Sequence, residues 1–117
     1  MTGSLSYHAG LSAESQVERV YETRGFTISA RRWRGTGGEI DLIARGDDTV
    51  VFVEVKKSRD HARAAERLSG RQKSRLCDAA SEYLGRCAQG LNTPARFDVA
   101  LVDSIGRVRI IENAITA

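Results

Sequence analysis

Residues 37–59 read GGEIDLIARGDDTVVFVEVKKSR. Two runs rich in branched apolar residues, Glu39–Ala44 and Val50–Lys57, flank the turn-forming cluster Arg45-Gly46-Asp47-Asp48-Thr49. That order predicts a β-hairpin. Side chains alternate between the two faces of a strand. Glu39, Asp41 and Ile43 are therefore expected on one face, and Ile40, Leu42 and Ala44 on the other. On the second strand Phe52, Glu54 and Lys56 share a face opposite Val51, Val53 and Val55. A hairpin folded about Asp47-Asp48 pairs positions whose numbers sum to 95, which sets Asp41 across from Glu54. Directly opposed residues point to the same face with Cβ atoms ~4.5–5.5 Å apart.

Two carboxylates so placed repel, and a divalent cation removes the conflict. Mg²⁺ takes one or two carboxylates, with waters and phosphate oxygens completing its shell; Mn²⁺ is the other candidate. Lys56, two residues beyond Glu54 on the same face, brings an ammonium within reach of an attacking water. Asp41 and Glu54 as metal ligands, with Lys56 as the third catalytic group, form a layout for phosphodiester hydrolysis. Glu39, on Asp41's expected face, is an auxiliary acid or a rim residue neutralised by an arginine. The competing reading of the whole set is a solvated strand face with a weak ion pair.

Outward from the hairpin, Ser12 is a plausible N-cap for a helix carrying Ala13, Val17, Val20 and Tyr21, closed by Gly25. Residues 1–11 read as a flexible arm ahead of one domain, 12–117. Phe26–Trp33 reads as a strand, and Arg34-Gly35-Thr36-Gly37-Gly38 as a flexible turn. Ser69-Gly70-Arg71-Gln72 fits a capping box opening a helix through Leu76, Ala80, Tyr83, Leu84 and Cys87. Gly90–Pro94 is loop, Phe97–Val102 is the largely apolar run of a central strand, and Val108–Ile111 is a last strand. A helical crossover from Val50–Lys57 to Phe97–Val102 makes that pair parallel, so the sheet is mixed. The fold class is α/β: a single domain with a mixed five-stranded sheet flanked by helices.

The chain has 117 residues, one domain's worth, which excludes a multidomain enzyme. Eighteen basic against fifteen acidic residues leave a net charge of only +3. The segment from Lys56 to Arg75 nevertheless holds eight basic residues and two acids. Arg59, Arg63, Arg67, Arg71 and Arg75 are thus the expected phosphate track for a nucleic acid. Trp33 beside Arg31, Arg32 and Arg34 either stacks a base or is a half-buried edge-strand residue. Two cysteines, Cys77 and Cys87, make no disulfide framework and read as small core residues. No apolar run suits a signal peptide or a membrane span, so a cytoplasmic location is expected.

The 37–59 stretch resembles the core signature of the bacterial YraN family, uncharacterised endonuclease-like proteins of the PD-(D/E)xK nuclease superfamily. The resemblance extends to Ala13-Glu14 and Arg24-Gly25-Phe26 around the first helix. It continues through Gln72-Lys73, Ala79-Ala80 and Tyr83-Leu84 in the second helix to Phe97-Asp98-Val99, spanning roughly Gly10 to Asp103. Ala13 stands where the family usually has Gly, and Lys57 where Thr is common. The resemblance implies a restriction-endonuclease-like fold, with Asp41, Glu54 and Lys56 at the metal- and water-handling positions. It further implies auxiliary roles for Glu14 and for Gln72 or Lys73. The expected function is a Mg²⁺- or Mn²⁺-dependent endonuclease on nucleic acid, DNA before RNA, including branched or structured DNA. A homodimer is compatible with one site per small chain. The alternatives are a non-catalytic nucleic-acid-binding module of the same fold and a pure interaction domain.

Overall fold

The hairpin forms in the expected register. In the computed structural model, which describes residues 2–57 and 70–114, β2 (Glu39–Arg45) and β3 (Val50–Lys57) run antiparallel. Their partners are Leu42–Val53, Ile43–Phe52, Ala44–Val51 and Arg45–Val50. β1 (Thr27–Arg34) pairs antiparallel with β2, with a bulge between Ile28 and Ala30. β4 (Ala95–Val102) lies parallel to β3, and β5 (Val108–Ile111) closes the sheet antiparallel to β4. The sheet order β1-β2-β3-β4-β5 is a mixed five-stranded sheet with one parallel pair.

The helices cover opposite faces. α1 (Thr2–Thr23) seats Ala13, Val17 and Tyr21 on Leu42, Ala44, Val51, Val53, Val55, Ala100 and Val102. α2 (Gly70–Leu84) seats Leu76, Ala79 and Ala80 on Ile40, Ile43, Val50 and Phe52. The alternation of β3 is what separates the two cores: odd positions meet α1 and even ones meet α2. The molecule is therefore a single α/β domain of restriction-endonuclease-like type, with a twisted sheet between two helices. No helix among the described residues is long and apolar enough to cross a membrane.

Several local expectations change. α1 is already helical at Thr2, so Ser12 lies inside it rather than at its start. A residue that favours an N-cap does not interrupt a running helix, and no proline stands between Thr2 and Ser12 to do so. Gly25, at φ +92°, ends α1 as expected: its N–H donates to Glu22 O and that of Phe26 to Tyr21 O, both at 3.0 Å. α2 stops at Leu84, leaving Cys87 outside it, and residues Gly90–Asn92 form a 3-10 turn rather than plain loop. Ser69, the expected cap of α2, lies outside the described residues.

The Arg34–Gly38 turn is clamped rather than flexible. Glu82 of α2 accepts hydrogen bonds from the Thr36 N–H at 2.7 Å and from its hydroxyl at 3.2 Å. A Cβ on Gly37 would sit 2.6 Å from Asp78 Cβ, and one on Gly38 3.0 Å from the Arg75 carbonyl oxygen. The glycines therefore allow the turn to lie directly on α2.

One deviation falls on the site itself. Strict alternation sends Ile40 to the face of Leu42 and Ala44, yet Ile40 packs with Ile43 under α2. On β1, Ala30 and Trp33, three residues apart, likewise both pack on the α2 side. The alternation is reset at Arg32 and Asp41, which the β1–β2 register places across from each other. Arg32 carries the irregularity as a left-handed backbone, φ +49°, a conformation that costs a non-glycine residue roughly 1–2 kcal/mol.

Candidate active site

Asp41 stands where the β2–β3 ladder ends. The last paired residues are Leu42 and Val53, and the next donor of β3, the Val55 N–H, is taken by Asp41 Oδ2 at 2.8 Å. A side chain thus replaces the backbone carbonyl that a continuing ladder would supply. Backbone pairing between β2 and β3 ends at this point, one residue before Glu54.

Glu54 and Lys56 extend the β3 face on which Val50 and Phe52 lie under α2. Both side chains are mostly buried, and Lys56 Nζ approaches Glu54 Oε1 to 3.7 Å. Burial pushes the Glu54 carboxyl up to about 8, with the neighbouring Asp41 charge and a hydrogen bond to Asp41 adding to the rise; Lys56 opposes it. A hydrogen bond between two carboxyl groups requires a proton on one of them. The pair therefore demands either that proton or a cation.

Glu14 and Asp41 line one cleft of about 320 Å³, together with Glu18, Arg31 and Arg32. Glu18 is engaged by Arg31 through two hydrogen bonds of 2.8 Å. Glu14 has no hydrogen bond or ion pair among the described residues. Glu14 and Glu18, one turn apart on α1, thus play different parts: one is neutralised by β1, while the other is left at the cleft beside Asp41. A recess of about 360 Å³ at the other end of the hairpin includes Arg45, Asp47, Asp48 and Cys87. Its β3 member, Val50, is four residues or ~13 Å along the strand from Glu54.

The remaining candidates distribute as follows. Glu39 is ion-paired with Arg34 at 3.4 Å, both exposed, which is the rim arrangement. Gln72 is half-buried and Lys73 exposed on the first turn of α2. Arg71 and Arg75 are exposed on the same segment, and Arg75 shares an open groove of about 380 Å³ with the Arg34–Glu39 turn. Arg59, Arg63 and Arg67 lie outside the described residues. Trp33 is half-buried, edge-on to Tyr83 with ring centroids 5.5 Å apart, and Arg86 lies 5.4 Å over its ring. Arg86 thus covers one face of the indole. The contribution of Arg31 and Arg32 to the cleft was not assigned from sequence. The available signal was their place on the strand next to Asp41, which the hairpin register alone did not include.

A divalent ion fits this donor set. Among the described residues no group of three or more His, Cys, Asp and Glu side chains converges, so a site here rests on the two carboxylates of Asp41 and Glu54. That is the sparse oxygen set a hydrated Mg²⁺ or Mn²⁺ accepts, and a poor one for Zn²⁺, which takes three or four protein ligands.

Residues 13–102, which include all of these groups within the described part, match the Uncharacterised protein family UPF0102. Over 117 residues the chain is 58% identical to a UPF0102 protein of Cereibacter sphaeroides, each covered in full. It is 59% identical over 112 residues to one from Ruegeria pomeroyi, covering 96% of this chain and 91% of that protein. A UPF0102 protein of Dinoroseobacter shibae is 45% identical over 111 residues, covering 95% and 83% respectively.

Proposed function

The chain belongs to the UPF0102 family, and from that premise we propose that it is a divalent-metal-dependent nucleic-acid phosphodiesterase. The observation that carries this reading is the Asp41–Glu54 pair, held in contact at the end of a strand ladder with Lys56 3.7 Å from Glu54. A sequence selected only for a stable hairpin gains nothing from two carboxylates that must share a proton. When bound between them, Mg²⁺ or Mn²⁺ supplies positive charge to the phosphoryl oxygens and acidity to a water.

The chain's own groups supply the rest. Asp41 and Glu54 are the ligands, and the cation would take the place of the proton that they share in the free protein. Lys56, mostly buried and fixed beside Glu54, donates hydrogen bonds to the attacking water and offsets charge developing on the phosphate. Glu14, across the cleft, orients water on its side. Exposed Arg71 and Arg75, with the groove beside the Arg34–Gly38 turn, hold the flanking backbone.

The test is a cleavage assay on single-stranded, duplex, flap and four-way-junction substrates with Mg²⁺ and with Mn²⁺. Lys56→Ala is expected to lower turnover by about 10²–10⁴ while keeping most of its affinity for nucleic acid. Lys56→Arg does not rescue it, because a planar guanidinium cannot occupy an ammonium's place. In parallel, Mn²⁺ raises the melting temperature by mass action, and Asp41→Asn abolishes that rise while retaining an oxygen for the Val55 N–H. A wild-type chain that binds these substrates in a salt-dependent way yet cuts none of them would instead be a binding module. A Mn²⁺ response unchanged in Asp41→Asn would put the ion elsewhere.

A further inference from the structure

Among the described residues only Arg32 and Asn113 adopt a positive φ without being glycine. Asparagine tolerates the left-handed region; arginine has no local hydrogen bond with which to compensate it. The turn at Arg32 swings Trp33 onto the α2 side, but a glycine or an asparagine would make the same turn with less strain. The choice of arginine therefore has to be explained by its side chain.

Three arginines of β1 lie near the carboxylates, and their states differ. Arg31 is spent on Glu18 and Arg34 on Glu39. Arg32 is exposed and forms no hydrogen bond or ion pair with any described residue. It lines the same cleft as Glu14 and Asp41 and is set across from Asp41 by the register of Arg31–Leu42 and Trp33–Ile40. With Arg31 cancelling Glu18, the cleft is left with two carboxylates, Glu14 and Asp41, and one unengaged guanidinium.

We propose that Arg32 grips the substrate phosphate next to the cleavable bond. This rests on the phosphodiesterase reading of Asp41, Glu54 and Lys56. An anionic backbone approaching Glu14 and Asp41 is repelled unless positive charge meets it at the same place. Arg32 supplies that charge on the α1 side of the ladder's end, opposite the Lys56 side. A guanidinium fork also matches phosphate oxygens two at a time. Arg32 is thus assigned to substrate holding, and its left-handed backbone sets the point from which the side chain enters the cleft.

The test uses the 117-residue chain carrying Lys56→Ala, so that substrate is not consumed, and measures binding of a duplex and a single-stranded oligonucleotide over a range of salt. Arg32→Gly and Arg32→Asn keep the left-handed backbone and remove the guanidinium. Each is expected to lower affinity about tenfold and to reduce the salt slope by roughly 0.9 on duplex and 0.7 on single strand. Their melting temperatures should equal or exceed that of the parent, and Arg32→Lys should keep the slope with an intermediate affinity. Arg45→Ala, at the far end of the hairpin, should change neither quantity. If Arg32→Asn binds with the parent's affinity and slope, the inference is overturned and the phosphodiesterase reading stands. If the parent binds neither oligonucleotide, the phosphodiesterase reading falls and the inference falls with it.

Discussion

Two buried carboxylates sit one ladder step apart on the β3–β4 pair and meet opposite fates. Asp98, paired across the sheet with Val53, is fully buried on the α1 face. Its oxygens accept hydrogen bonds from the Tyr21 hydroxyl at 2.7 Å, the Arg96 guanidinium at 3.1 and 3.2 Å, and the Asn113 N–H at 2.9 Å. Burial, and then donation to Asp98, push the Tyr21 hydroxyl far above its ordinary range, so it stays a donor. Glu54, paired with Val99, projects to the other face and finds a second carboxylate and one ammonium. The first centre is closed: every lone pair that burial strips of water has a partner. The second is open: Glu54 meets only another carboxylate and one ammonium among the described residues. Centres of the first kind hold the fold together, and centres of the second kind are where chemistry is possible.

The largest effect expected from this contrast is on stability at Asp98. Asp98→Ala strands the buried Tyr21 hydroxyl, the Asn113 N–H and one face of Arg96, and should cost about 3–5 kcal/mol. In a domain of this size that lowers the melting temperature by about 10 °C or more. Glu54→Ala should cost far less, since it removes a carboxyl buried without a full set of partners, and Asp41→Ala should cost about 1–3 kcal/mol by stranding the Val55 N–H. Urea denaturation of the three variants decides the matter. Equal losses at Asp98 and Glu54 would mean that both centres are structural.

A pH-dependent effect of opposite sign is expected at Glu54. In the metal-free protein the Glu54 carboxyl holds its proton to about pH 8, against an ordinary value of 4.5. Between those values the folded chain is protonated where the unfolded chain is not. The contribution is fully present below about pH 4.5 and is lost as pH rises through 8, at up to about 1.4 kcal/mol per unit. Glu54→Gln lacks this slope, so it should gain on wild type steadily from pH 5 to pH 8 and be the more stable protein above that. A difference between the two that stays flat with pH would show that Glu54 ionises normally and that the pair is not in contact.

The two centres also differ in how far the sequence displays them. The hairpin register follows from alternation and turn chemistry, which are local, and the pairing of Leu42 with Val53 is the one they dictate. The neighbourhood of Asp41 and Glu54 was legible for that reason. The reset of faces at Asp41 was not, because it is imposed from β1, through the left-handed Arg32, and no hairpin pattern contains it. The length of α1 was misjudged because a cap preference marks where a helix can start, not where one must. Asp98 sits in a run otherwise fit for a central strand, and a lone acid there signals a buried partner without naming it. The partner, Tyr21, is 77 residues away, and only the packing of α1 across the sheet brings them together.

The smallest predicted effect tests whether the two centres are independent. Tyr21→Phe removes one donor from Asp98 but keeps the ring that meets Phe26 edge-on at 5.7 Å and fills the α1 core. Arg96 and the Asn113 N–H still satisfy Asp98, so the loss should be about 1 kcal/mol rather than the cost of an orphaned charge. Because Asp98 and Glu54 point to opposite faces and share no hydrogen-bond partner, Tyr21→Phe combined with Glu54→Gln should be additive within ~0.5 kcal/mol. Tyr21→Phe combined with Arg96→Ala should not be, since both act on the same carboxylate. Additivity in the first cycle and coupling in the second, measured by denaturant unfolding at one pH, would establish a closed anchor and an open site that can be altered separately. Coupling of more than ~1 kcal/mol between Tyr21 and Glu54 would instead mean that α1, seated by Tyr21 two helical turns from Glu14, transmits its position to the carboxylate pair.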